Sequence, residues 1–105
     1  MDGNKHIEHY KNGNIKIECW YNYSGRNHRV DGPAITRYYE NGKIEFKSWY
    51  LDGERHRVDG PTFTRYSKNG KIEIEWWYLD DKKLSKKEFE NWKNIHELGL
   101  EGLFY

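Results

Sequence analysis

The chain has 105 residues, a net charge of +1, 35% hydrophobic residues and 17% aromatic residues, with five Trp and nine Tyr. This length suffices for one small domain with one core, and the aromatic content argues against a disordered chain. The near-neutral charge argues against a partner made of duplex nucleic acid, because such binders usually carry a basic excess. No apolar run approaches the 18 residues of a membrane span, so we expect no membrane partner.

The cysteine content and the start of the chain indicate a compartment. Cys19 is the single cysteine, which excludes an internal disulfide and fits a reducing environment. The first ten residues, MDGNKHIEHY, are polar and lack the apolar centre of a signal peptide. We therefore expect a cytoplasmic protein.

The sequence repeats with a period of 28 residues. Residues 28–33 (HRVDGP) recur as residues 56–61, and residues 41–45 (NGKIE) recur as residues 69–73. A third, less regular copy precedes them, with its Asn-Gly and Trp-Tyr pairs 29 residues ahead of their counterparts. A fixed period of this length is typical of tandem structural repeats.

Each copy predicts a β-hairpin, because two runs of aromatic and β-branched residues flank an Asn-Gly pair. We expect the hairpins over the residue ranges 7–25, 34–53 and 62–80. Beyond them, Ser85 and Glu88 have the spacing of a capping box, and apolar residues at helical spacing predict a helix over about 86–97. The predicted fold is mainly β: tandem antiparallel hairpins with one C-terminal α-helix, in a single domain spanning residues 1–105.

Two registers are open for the hairpin turn. A two-residue turn places Arg37 opposite Phe46, whereas a three-residue loop with a left-handed glycine places Tyr38 opposite Ile44 and Arg37 opposite Glu45. Opposed charges and apolar pairs favour the second register. It predicts one face with Ala34, Thr36, Tyr38, Ile44, Phe46, Ser48 and Tyr50, and another with Ile35, Arg37, Glu45, Lys47, Trp49 and Leu51.

Open hairpin edges and an uncovered aromatic face predict self-association, so we expect a homo-oligomer. Residues 100–105 (LEGLFY) are mostly apolar. We expect this tail to pair with an open sheet edge or with a second subunit, after a helix stop at Gly99.

The pattern Tyr-x-x-Asn-Gly-Lys followed by Trp-Tyr-x-Asp-Gly resembles the MORN repeat, in the variant class. The HRVDGP version is similar to small repeat proteins of bacteria, phages and large DNA viruses. The resemblance covers about residues 7–80 and the terminal helix. It implies a ribbon of hairpins that serves as a scaffold or binding surface, and some bacterial members are described as antitoxins. The first copy lacks HRVDGP, so a site built on that segment exists at most twice.

The two HRVDGP segments present His28-Arg29 and His56-Arg57 on loops between hairpins. One interpretation is anion recognition, with each arginine holding a phosphate while the histidine donates a hydrogen bond or stacks. The other is a repeated turn, in which the aspartate of the segment caps the Gly-Pro bend. Both interpretations stay open for the His-Arg pairs.

The aromatic and charged strand residues offer further candidates. Trp20, Trp49 and Trp77 occupy equivalent positions in their copies and predict either core or subunit packing, or a stacking platform for a base. Arg37 and Arg65 are candidate ligand contacts, although each has a cross-strand glutamate as a structural partner.

Metal and catalytic interpretations find little support. His6 and His9 have ligand-like spacing, but no set of three or four ligands is evident, so we expect no metal and no cofactor. No serine or cysteine stands in a recognisable nucleophile motif, and no glycine-rich phosphate loop is present. A metal-free phosphodiesterase built on His28, His56 and the acidic residues stays open.

Two functional hypotheses follow. The first is a non-catalytic binding protein that sequesters a nucleotide-type anionic small molecule, which the resemblance to phage proteins would make an anti-defence protein inside a host cell. Its candidate ligand-binding residues are His28, Arg29, His56, Arg57, Trp49, Trp77, Arg37 and Arg65. The alternative is a protein-interaction module, such as an antitoxin or inhibitor, that binds a partner through its aromatic sheet face.

Overall fold

A computed structural model describes residues 3–97 as a single layer of β-hairpins followed by a helix. The elements are β1 (Asn4–His9), β2 (Ile15–Tyr21), β3 (Ile35–Tyr38), β4 (Ile44–Ser48), β5 (Tyr50–Leu51), β6 (Glu54–Arg55), β7 (Phe63–Tyr66), β8 (Ile72–Leu79), β9 (Lys82–Leu84) and α1 (Lys86–Glu97). Seven strands form one antiparallel sheet in the order β1-β2-β3-β4-β7-β8-β9, while β5 and β6 form a separate two-stranded hairpin. The predicted fold class is confirmed.

The hairpins turn through three-residue loops, as predicted. In the second copy Tyr39 N donates to Lys43 O at 2.9 Å, and Gly42 N donates to Tyr39 O at 3.0 Å. Gly42 has φ 88°, and its counterparts Gly13 and Gly70 have φ 90° and 91°. Only glycine adopts this left-handed backbone without steric cost, which is why Asn-Gly recurs in every copy.

The predicted register is correct at the loop and wrong one step further along the strands. Tyr38 lies opposite Ile44, but Arg37 lies opposite Phe46 and not opposite Glu45. A β-bulge causes the shift, because it sets two residues of one strand against one of the other. Arg37 Nε still reaches Glu45 Oε1 at 3.2 Å, so the charge pair forms without direct opposition. The third copy repeats the bulge.

The bulge also changes which residues share a face, so the predicted faces are wrong in part. Phe46 and Ser48 lie opposite Arg37 and Ile35 and therefore point to the same side of the sheet as these residues. We call this side the aromatic face, because Phe46 continues there into a row of rings with Phe63.

The other side of the sheet carries a polar row and the repeated tryptophans. The row runs across neighbouring strands through Glu18, Thr36, Lys47, Thr64 and Glu75. The tryptophans stand two residues after the row positions in β2, in β8 and just beyond β4, so they point to this side as well. We call it the clasp face, because the loops at residues 28–33 and 56–61 join neighbouring hairpins there.

The buried residues are mostly small or polar, as a single-layer sheet allows. They are Cys19, His28, Gly32, Ala34, Thr36, Ser48, Thr62, Thr64, Tyr78 and Phe89. Within residues 3–97, no helix has the length and apolar character needed to cross a membrane.

Helix α1 packs at the C-terminal end of the sheet, where it contacts β8 and β9 and buries Phe89. Its predicted capping box is present: Ser85 N donates to Glu88 Oε1 at 2.8 Å, and Glu88 N donates to Ser85 Oγ at 3.1 Å. The predicted helix stop at Gly99 and the tail 100–105 lie outside the described residues.

Candidate functional site

Two loops connect the hairpins over the clasp face, and both have the sequence HRVDGP. We call residues 28–33 and 56–61 the first and second clasp loops. Two consecutive backbone N–H groups of each loop donate to two neighbouring hairpins. These bonds run from His28 to Trp20 O, from Arg29 to Tyr50 O, from His56 to Trp49 O and from Arg57 to Tyr78 O. Each loop therefore connects one hairpin to the next through backbone hydrogen bonds.

The histidines of the clasp loops hold the following hairpin turn. His28 Nδ1 accepts a hydrogen bond from Asp52 N at 2.9 Å, and His56 Nδ1 accepts one from Asp80 N at 2.9 Å. Asp52 and Asp80 have φ 48° and 47°, so the acceptor fixes a backbone conformation that few side chains tolerate. The geometry gives both histidines a structural role through Nδ1.

The arginines fold back into their own loops. Arg57 Cζ lies 4.0 Å from the Trp49 ring centroid, Nε donates to Asp59 Oδ1 at 2.8 Å, and Nη1 donates to Pro61 O at 3.0 Å. The first loop has the same three contacts, from Arg29 to Trp20, Asp31 and Pro33. Cation–π stacking and charge-assisted hydrogen bonds thus hold each loop closed. The turn interpretation of HRVDGP did not include these arginine contacts.

The glycine of the motif follows from the same geometry. A Cβ at Gly60 would lie 2.8 Å from Arg57 Cζ, and one at Gly32 would lie 2.9 Å from Arg29 Cζ. Both distances are shorter than heavy atoms tolerate, so the loop backbone can approach the guanidinium only if this residue lacks a side chain. The clasp joins pairs of hairpins, so the three Asn-Gly hairpins of the seven-stranded sheet need two clasps and the first copy has none.

A cleft of about 190 Å³ opens between the two clasp loops on the clasp face. It is lined by Arg29, Val30, Trp49, Leu51, His56, Arg57, Val58 and Asp59. Ligand pockets usually begin at about 300 Å³, so this cleft encloses one compact group and leaves the remainder of a larger ligand outside.

The cleft brings together four of the eight predicted ligand-binding residues and leaves four elsewhere. His28 is buried and does not line the cleft. Arg37 and Arg65 lie on the aromatic face, on the opposite side of the sheet. Trp77 lies opposite Leu84, at the end of the sheet that contacts the helix.

Trp49 lines the cleft, and its buried indole nitrogen distinguishes the second copy from the first. Trp20 Nε1 donates to Glu18 Oε1 at 3.3 Å. Trp49 Nε1 is buried and has no acceptor among the described residues. Lys47 stands two residues before Trp49, in the position that Glu18 has before Trp20. The sequence already contains the difference between Glu-x-Trp in the first copy and Lys-x-Trp in the second. That this difference leaves an indole N–H unpaired could be inferred only once the indole was known to be buried.

The same replacement changes the charge around the tryptophan. In the first copy, Arg29 faces two acids: Asp31 at 3.0 Å and Glu18 at 3.8 Å. The hydrogen bond from Arg29 lowers the pKa of Asp31, so this carboxylate stays ionised. In the second copy, Arg57 pairs with Asp59 alone, and a lysine replaces the second acid. The surroundings of Trp49 are therefore the more positive of the two.

No group of three or more His, Cys, Asp or Glu side chains within residues 3–97 is placed to hold a metal ion. No family model, curated protein or solved structure matches the chain. The resemblance to MORN repeats and the expected self-association stay predictions.

Proposed function

We propose that the chain is a non-catalytic binding protein for a nucleotide-type anionic small molecule, whose anionic group sits in the cleft over Trp49. The observation that carries this proposal is the buried Trp49 Nε1–H group without an acceptor. An unpaired buried donor costs about 1–3 kcal/mol, and an anionic oxygen would satisfy it. The first copy satisfies the same donor with a carboxylate, so a negatively charged acceptor suits this position.

The arginines of the two clasp loops supply further donors to such an anion. Arg57 uses Nε and Nη1 within its loop, and its Nη2 has no hydrogen-bond partner among the described residues. Arg29 lines the same cleft from the other side. Two guanidinium groups and an indole N–H around one compact space form a donor set that favours a phosphate over a neutral group.

The size of the cleft sets the arrangement of the ligand. The cleft is smaller than a usual ligand pocket, so with the phosphate inside it the base of a nucleotide would lie outside, over Val30 and Val58. These two side chains are 68% and 50% exposed and offer an apolar rim on both sides. In the setting that the resemblance to phage proteins implies, the protein would sequester a host nucleotide signal in the cytoplasm.

Calorimetric titration with nucleotides and their nucleosides tests this function. The probes are the four ribonucleoside 5′-monophosphates, each compared with the nucleoside that lacks the phosphate. We expect at least one monophosphate to bind and its nucleoside to bind at least about tenfold more weakly, because charge-assisted hydrogen bonds are worth about 1.5–3 kcal/mol. Equal binding of nucleoside and nucleotide, or no binding by any monophosphate, would contradict the proposal.

Three variants locate the site. Trp49→Phe removes the unpaired donor, and we expect it to weaken monophosphate binding about tenfold. Trp20→Phe is the matched control, because its indole N–H is already bonded to Glu18, and it should bind as the wild type does. Lys47→Glu should abolish binding, since it places a carboxylate where the anion would sit. Unchanged affinity in both Trp49→Phe and Lys47→Glu would exclude this cleft.

A further inference from the structure

The aromatic face carries a second groove, of about 290 Å³, that includes none of the predicted site residues. Phe46, Phe63 and Trp76 form one wall: the ring centroids of Phe46 and Phe63 are 5.6 Å apart, and those of Phe63 and Trp76 are 4.9 Å apart. Trp76 is 40% exposed, so this row of rings is open to solvent among the described residues. Flat rings pack well against such a row.

Ser48 creates the recess in this face. It lies opposite Ile35 on one side and Phe63 on the other, so a small side chain stands between two large ones. The corresponding positions of the first and third copies hold Cys19 and Trp76. The second copy alone thus combines a small polar residue with aromatic neighbours on the next two strands.

Two hydroxyl groups that line the groove have no protein partner among the described residues. Ser48 is 7% exposed and Tyr78 is 8% exposed, both line the groove, and neither hydroxyl has a hydrogen-bond partner among the described residues. Thr62 in the same groove is satisfied, because its Oγ1 donates to Tyr78 O at 3.1 Å and accepts from Tyr78 N at 2.8 Å. Neither hydroxyl oxygen is fully buried, so both can bond to a ligand in the groove that has a hydrogen-bonding edge.

A cation stands at the Tyr78 end of the groove. Arg55 Cζ lies 4.2 Å from the Tyr78 ring centroid, and Arg55 Nε donates to Asp81 Oδ1 at 2.7 Å. The guanidinium Nη groups have no hydrogen-bond partner among the described residues. The lining of the groove therefore offers donors from Ser48, Tyr78 and Arg55 together with a row of rings.

We infer that the Ser48 groove binds a flat aromatic ring, single or fused to a second ring, that carries a carboxylate at its edge. The ring packs against Phe63 and Trp76, and the carboxylate accepts hydrogen bonds from Ser48, Tyr78 and Arg55. The volume suits one or two fused rings and is close to the lower limit of small-molecule pockets. This site lies on the opposite side of the sheet from the Trp49 cleft and does not depend on it.

The test is a ¹H–¹⁵N NMR titration of the full chain with benzoate, with cyclohexanecarboxylate as the saturated control. We expect benzoate to shift the Trp76 Nε1 and Ser48 amide signals and to leave the Trp49 Nε1 signal in place. Cyclohexanecarboxylate should bind at least about fivefold more weakly, because aromatic pairing is worth roughly 1 kcal/mol beyond buried area. Equal binding of the two acids, or shifts confined to Trp49, would overturn the inference.

Two substitutions at one position complete the test. Ser48→Leu fills the recess and should weaken benzoate binding more than about tenfold, whereas Ser48→Cys keeps the space and should weaken it about fivefold through the lost hydroxyl. Cysteine already stands at the matching position 19, so this variant should fold. Wild-type affinity in both variants would overturn the inference, as would a Trp76 signal that responds to protein dilution but not to benzoate, because a second copy would then occupy the groove.

Discussion

Arg57 and Arg29 are each held by three contacts within a six-residue loop. The guanidinium stacks on a tryptophan, donates to the aspartate two residues on and donates to a proline carbonyl four residues on. Lysine could not replace it, because a single ammonium group lacks the planar fork that makes these contacts together. The arginines therefore stabilise the folded loops. Only the guanidinium nitrogens that make no bond within the loop are available to a ligand.

Gly60→Ala tests the closed loop. The added Cβ would meet Arg57 Cζ at 2.8 Å, so the guanidinium must leave its stack and its two hydrogen bonds. We expect a loss of about 1–3 kcal/mol in the free energy of unfolding, measured with urea. In the Arg57→Ala background the same substitution should cost less than about 0.5 kcal/mol. An equal cost in both backgrounds would show that the glycine acts independently of the arginine.

His28→Phe tests the acceptor role of the clasp histidines. It leaves the backbone N–H of Asp52 without its acceptor and should destabilise the protein by about 1–3 kcal/mol. His28→Asn places a carbonyl oxygen near the Nδ1 position and should recover part of that loss, as thermal unfolding can measure. If both variants lose the same stability, packing and not hydrogen bonding explains the residue.

Among the elements, the hairpins and the helix could be predicted, whereas the bulge could not. The period, the Asn-Gly loops and the capping box are local signals, and each predicts its structure from a few neighbouring residues. The pairing of Arg37 with Glu45 was favoured by charge, but these long side chains can meet without facing each other, so charge did not determine the register. The bulge adds one residue to β4, and this extra residue moves Phe46 to the face opposite to the predicted one.

The candidate site was predictable only in part, for a similar reason. Arg29, Trp49, His56 and Arg57 stand out in the sequence because they repeat, and they do line one cleft. Their contacts depend on how each loop crosses to the next hairpin, which a linear pattern does not contain. The unpaired Trp49 nitrogen depends on burial, so the sequence alone could not distinguish it from its counterpart at Trp20.

Ser85→Ala tests the start of helix α1. The substitution removes the Oγ acceptor of Glu88 N and leaves a first-turn donor unpaired. We expect a loss of about 1 kcal/mol in the free energy of unfolding, with Lys87→Ala in the same turn as a neutral control. No difference between these variants in urea unfolding would mean that the helix is held by Phe89 packing alone.

For the whole molecule, the carboxylates bonded to arginine link stability to pH. Hydrogen bonds from Arg29 and Arg55 lower the pKa of Asp31 and of Asp81. A group whose pKa is lower in the folded state stabilises it above the unfolded pKa and loses this contribution as the pH falls through the folded pKa. We expect the melting temperature to fall as the pH drops below about 4. The double variant Asp31→Asn and Asp81→Asn should fall less steeply; an equal slope would contradict the assignment.

The two proposed sites use opposite faces of one thin sheet, so each can be tested without the other. The anion cleft depends on the clasp loops, which close over one face, and the Ser48 groove depends on side chains of the other face. A ligand of one site should leave the indole signal of the other unchanged. This independence allows five tryptophans to act as separate reporters in one spectrum.

The most direct measurement is the indole region of a ¹H–¹⁵N spectrum during titration with the four ribonucleoside 5′-monophosphates. We expect the Trp49 Nε1–H signal to move strongly downfield, as a buried N–H does when it gains an anionic acceptor, while the Trp20 and Trp76 signals stay in place. Saturation at one ligand per chain would support the single cleft. A Trp49 signal that does not move with any monophosphate, or that moves equally with the nucleosides, would contradict it.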